Sequence, residues 1–187
     1  IAVTRNGNYI TVYSNGISGN PENIGTDQLY PNHLNTEVGR LDRSSANNMF
    51  NGFIEDLRIT NISRYIENFE NNLPVKYGKN SGEDIYYNNT ELLIPFNGLH
   101  NTQYFKDDSI NQYIISGIGV LIKLNNDILT NGTAIVNSSD ESVFGGASIN
   151  ARGGNSSYLY IPSRYDFGSF GKNDFTIEWW DKILEWN

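Results

Sequence analysis

The chain has 187 residues, with 13 Lys and Arg against 21 Asp and Glu, a net charge of −8 and no cysteine. An acidic chain of this kind is a poor partner for nucleic acid, whose phosphates call for a basic patch, and without thiols it has neither a disulfide framework nor a thiolate metal site. No apolar run approaches the length of a membrane-spanning helix, so membrane insertion is not expected. Aromatic residues make up 13%, and 18 Gly with 5 Pro suit short strands joined by many turns better than long helices.

Ala2 to Arg5 alternates, Asn6-Gly7-Asn8 reads as a turn, and Tyr9 to Tyr13 alternates again. Asn-Gly between β-branched runs is a strong hairpin signal, and a second such turn follows at Asn15-Gly16. Ile1 already stands inside the strand pattern, so the expectation is that the gene product starts further upstream. Residues 18–36 are polar and turn-rich, with Pro21 and Pro31 breaking any strand. Asp42 to Asn48 reads as a loop leading to Phe50. Phe53 to Thr60 is then a strand in strict period two. Phe53, Glu55, Leu57 and Ile59 share one face; Ile54, Asp56, Arg58 and Thr60 share the other, where Asp56 and Arg58 are placed to form an ion pair. Residues 76–90 read as a polar linker. In Phe175–Trp180, Phe175, Ile177 and Trp179 share the apolar face, read as the core side, and Thr176, Glu178 and Trp180 share the other.

The wording of several stretches is more specific than their periodicity. F-N-G-F-I-E-D-L-R-I-T-N-I-S-R-Y-I-E-N-F, from Phe50 to Phe69, resembles the final strand and tail of laminin-G-like, concanavalin A-like jelly-roll domains. Gly52, Ile54, Asp56, Arg58, Thr60, Arg64, Tyr65 and Phe69 match, and Glu55 stands where Asp is usual. The opening A-V-T-R-N-G resembles the hairpin that precedes that strand. Further along, L-L-I-P-F-N-G from Leu92, F-K-D-D-S from Phe105, F-G-G-A-S-I from Phe144, Y-L-Y-I-P from Tyr158, Asp166-Phe167 and F-T-I-E-W-W from Phe175 resemble the family's early strands, in the family's own order. Ala151–Gly154 departs from the usual F-D-G turn.

The resemblance implies an all-β, two-sheet antiparallel jelly-roll sandwich, with late strands in residues 1–75, a linker at 76–90 and early strands in 91–187. That order fits a circular permutation, an excerpt across two tandem domains, or subunits that complete each other's sandwiches. Closure within the chain is expected, because an intramolecular partner has the higher effective concentration. Leu92–Phe96 is then expected to pair with Phe53–Thr60.

The enzymes of this superfamily need paired carboxylates on one strand face, and relatives of that kind carry E-x-D-x-x-E. Here Glu178 and Asp181 fall on opposite faces and the third carboxylate is missing. Asp140 and Glu141 diverge, and His33 and His100 lie in polar loops. No catalytic residue is assigned. Calcium, which wants six or more oxygen ligands, is the candidate cofactor. Asp107 and Asp108 follow the first early strand, and Asp56 lies on the last late one; a capped turn is the alternative for Asp107-Asp108-Ser109. Trp180 and Glu178 are the candidate ligand-binding pair, with a buried sandwich tryptophan as the alternative for Trp180. The sequons at Asn61, Asn88, Asn131, Asn137 and Asn155 are no more than this much Asn produces by chance. The function these features imply is a non-catalytic recognition or adhesion module for a glycan or protein ligand, on a surface, secreted or virion protein. The alternative is a building block of a larger assembly such as a phage or virus particle, with other copies as partners.

Overall fold

The computed structural model describes residues 1–29, 36–39, 50–74, 77–80, 82–99, 104–110, 116–117, 120–123, 127–130, 136–138, 142–144, 147–150, 159–161 and 170–184. His33, His100, Asp140, Glu141, the Ala151–Gly154 departure and the sequons at Asn131 and Asn155 lie outside the described residues. The rest is all-β and antiparallel. The strands are β1 (Ala2–Asn6), β2 (Tyr9–Ser14), β3 (Ile17–Ser18), β4 (Glu22–Asn23), β5 (Thr36–Val38), β6 (Gly52–Thr60), β7 (Thr90–Ile94), β8 (Tyr104–Phe105), β9 (Ser116–Gly117), β10 (Val120–Lys123), β11 (Asp127–Thr130), β12 (Val136–Ser138), β13 (Ser148–Asn150), β14 (Leu159–Ile161) and β15 (Phe175–Ile183). The helical content of the described residues is two single 3-10 turns, Glu70–Asn72 and Tyr87–Asn89.

Most strands join one nine-stranded sheet in the order β12-β13-β6-β15-β1-β2-β3, with β4 also on β2 and β7 also on β6. Two three-stranded sheets, β10-β11-β8 and β5-β14-β9, stand apart from it. The hairpin signals work as turn chemistry requires. Asn15 and Gly16 both take positive φ (49° and 78°), and Ser14 pairs with Ile17 across them, the Asn-Gly arrangement that matches strand twist. The first turn differs from expectation. Asn6 pairs with Tyr9, so the turn residues are Gly7 and Asn8; of the two, Gly7 has positive φ, 58°, and glycine at the first turn position supplies it without steric cost.

The last strand of the chain occupies the centre of the sheet. β15 lies between β1, where Ile177 faces Val3, and β6, where Ile177 faces Ile59. The other edge of β6 is shared: β13 takes Phe53 and Ile54, and β7 takes Leu57 to Thr60, with Leu92 opposite Ile59. The pairing expected between Leu92–Phe96 and Phe53–Thr60 is therefore present.

Strict alternation in β6 does not hold. Glu178 faces Arg58 but Trp180 faces Glu55, so two steps on β15 span three on β6. The extra residue is a bulge at Asp56, whose φ is 49°, a left-handed conformation that Asp tolerates better than most residues. The bulge flips the parity of the strand. Ile54 joins Leu57 and Ile59 in the core, whereas period two puts Ile54 on the opposite face. All nine residues of β6 are buried.

The core packs Ile54, Leu57, Ile59, Leu92, Ile94 and Ile149 of the large sheet against Phe105 and Leu159 of the small ones, with Val38, Ile177 and Trp179 at its margin. Its large sheet thus buries one face against the small sheets, in the manner of stacked layers. The other face is covered by the segment between β6 and β7. Within it, the stretch read as a polar linker supplies two buried side chains, Tyr77 and Asp84, 3% and 8% exposed.

Candidate functional site

The face of the large sheet away from the core is polar, and its residues come in rows. Directly paired residues share a face. One row runs Thr11-Thr4-Thr176-Thr60-Thr90 across β2, β1, β15, β6 and β7; the next runs Tyr13-Ala2-Glu178-Arg58. Thr4, Thr60, Thr90, Thr176, Arg58 and Glu178 are all buried, so each polar atom needs a partner.

The described residues of 61–74, 77–80 and 82–89 provide those partners as a strap laid over the sheet. The backbone N–H of Arg64 donates to Thr176 Oγ1 at 2.9 Å, and that hydroxyl donates to the Ile62 carbonyl. Thr4 and Thr176 share a hydroxyl–hydroxyl bond of 3.2 Å. Tyr65 and Phe69 stack at 3.7 Å beside Tyr13. The Tyr13 hydroxyl donates to the Tyr65 carbonyl, and the Phe69 N–H to the Gly16 carbonyl.

Beneath the strap lies a closed set of charges. Arg58 donates through Nε to Glu178 Oε1 at 2.8 Å and through Nη1 to Asp84 Oδ2 at 2.6 Å, and its guanidinium lies 3.9 Å from the centre of the Tyr77 ring. Arg64 donates through Nη2 to Asp84 Oδ1 at 3.1 Å. Its Nη1 and Nε meet Asp84 Oδ2 and Glu178 Oε1 at 3.1 and 3.3 Å, ion-pair distances without hydrogen-bond alignment. The Tyr65 hydroxyl completes the set, donating to Glu178 Oε2 at 2.6 Å. Two guanidiniums thus answer two carboxylates, the condition for holding buried charge.

The titration behaviour of this cluster follows from its geometry. Burial pushes the Asp84 carboxyl up, but hydrogen bonds from Arg64 and the Tyr86 N–H and the nearby Arg58 charge outweigh it and hold the group below its ordinary value. Burial, then the Glu178 carboxylate, push the Tyr65 phenol well above its usual range. For Arg58, burial opposes the charge, but Glu178 leads the partners that raise its pKa above the ordinary value. These three groups have no proton to exchange near neutral pH. The cluster ties the strap to the sheet.

The sequence-predicted residues fall on this framework as follows. Glu178 is 1% exposed and sits inside the cluster. Trp180 is half-buried, edge-on to Phe144 with centroids 5.2 Å apart. Phe144 belongs to a loop held by Glu55, whose carboxylate accepts the Ser142 hydroxyl and the Val143 and Phe144 N–H groups at 2.9, 2.6 and 3.2 Å. The hollow beside Trp180, bordered by Phe69, Leu73, Pro74 and Tyr77, measures about 20 Å³. That is room for about one water, so a ligand at Trp180 would lie across the surface.

The expected Asp56–Arg58 ion pair does not form. Arg58 is paired with Asp84 and Glu178, and Asp56, displaced by its own bulge, accepts the Tyr77 N–H at 3.5 Å. Asp107 is buried and ties its loop to β7: Oδ1 accepts the Leu93 and Ser109 N–H groups at 3.0 and 2.9 Å, and Oδ2 the Ser109 hydroxyl at 2.9 Å. Asp108 pairs with Lys79 at 2.6 Å and Lys106 at 3.0 Å. Burial raises its pKa, but hydrogen bonds from those two lysines bring it below the ordinary value. Calcium wants several free carboxylate and carbonyl oxygens. Here the carboxylate oxygens answer N–H groups, a hydroxyl and ammonium groups, and the described residues hold no group of three or more acidic or histidine side chains suited to a metal.

No family model, no curated protein and no solved structure matches this chain.

Sequence reasoning missed Asp84 and Tyr77, which lie in a stretch with no pattern to mark them. Arg64 and Tyr65 had a signal, as the R-Y pair after the strand, but nothing local says that they face Glu178, 113 residues from Tyr65 in the chain.

Proposed function

We propose that this chain is a non-catalytic recognition and adhesion module of the laminin-G-like, concanavalin A-like kind, with the jelly-roll sandwich its motifs resemble, binding a glycan or a protein ligand on a cell-surface, secreted or virion protein. The observation that carries the reading is the fate of Glu178. Glu178 is one of the two carboxylates, with Asp181, weighed for hydrolysis, and here it is buried with both oxygens engaged by Arg58, Arg64 and Tyr65. Its strand is framework. Ligand contact then falls to Trp180, whose ring lies against Phe144, with Glu178 holding the strand that presents it.

The test is calorimetric titration of the whole chain against a panel of oligosaccharides and candidate surface proteins, repeated with Trp180→Ala. The expected result is a ligand whose affinity drops at least about tenfold in the variant while the melting temperature stays within a few degrees. Turnover of a glycan, abolished by Glu178→Gln in a folded chain, would overturn the reading.

The second reading, a building block of a larger assembly such as a phage or virus particle, draws its support from the aliphatic face of β2 and β3. Val12, 51% exposed, continues the core-facing row of Ile59, Ile177 and Val3 onto β2, and Ile17, 54% exposed, pairs with Ser14 on the same face. That reading expects concentration-dependent association in light scattering, weakened by Val12→Asp.

A further inference from the structure

We draw no further inference here: the strongest candidate, the hollow of about 360 Å³ beside Pro95, Leu99 and Lys106 next to the positive-φ residue Phe96, has nothing in the structure to show what fills it.

Discussion

Replacing Glu178 by glutamine keeps the shape of the side chain and one acceptor for the Tyr65 hydroxyl but removes one of the two negative charges under the strap. Arg58 and Arg64 would then share Asp84 alone, leaving one buried positive charge without an answer. Arg58 and Glu178 have side chains 3% and 1% exposed, so solvent screening is slight. Breaking a buried pair on one side costs about 3–5 kcal/mol. At about 2–4 °C per kcal/mol for a domain of this size, the melting temperature should fall by roughly 6–20 °C. Urea unfolding followed by tryptophan fluorescence measures the same loss as a lower midpoint with an unchanged slope. The pair Arg58→Met with Glu178→Met supplies the control. Apolar replacement of both partners is often neutral or stabilising, so the double variant should be more stable than either single one. A Glu178→Gln chain that melts within a degree of the parent, with the double variant no better, would refute the claim that these charges hold the strap.

Asp84, with its pKa held below the ordinary carboxylate value, contributes stability that is complete above the unfolded pKa, near pH 4, and lost as the pH falls through the folded one. Urea midpoints between pH 5 and 2 should therefore fall less steeply in Asp84→Asn than in the parent; equal slopes would remove Asp84 from the network. Gly16→Ala should cost at least about 2 kcal/mol, because Gly16 has φ 78° and a Cβ there would meet the Glu70 backbone nitrogen at 2.5 Å. Gly25→Ala, at φ 55° with open space around it, should cost only about 1 kcal/mol, and equal losses would mean the strap does not press on that turn. Millimolar calcium or a chelator should leave the melting temperature unchanged to within about a degree; a rise that grows with calcium concentration as mass action requires would mean that Asp107 and Asp108 exchange their present partners for the ion.

The local chemistry of the chain was enough for its class and for several of its contacts. Alternation around Asn15-Gly16 specifies a hairpin, because few residues other than Asn and Gly accept the two positive φ angles that turn needs. Ile177 and Trp179 could be placed toward the core by period two alone, since the register shift between β15 and β6 puts the extra residue on β6. The pairing of β7 with β6 came from the motif resemblance. What the sequence could not decide by itself was the parity of β6. One extra residue at Asp56 turns Ile54 to the core side, and nothing in the F-I-E-D-L-R-I run marks where the extra residue sits. Only the partner strand does, by setting Glu178 against Arg58 and Trp180 against Glu55. The same holds for the charges. Arg58 has Asp56 two residues away, yet its partners come from 26 and 120 residues along the chain. A charge in a fully buried central strand is satisfied by whatever the fold brings over it, and that is a property of the sheet and its strap, not of the neighbours in sequence.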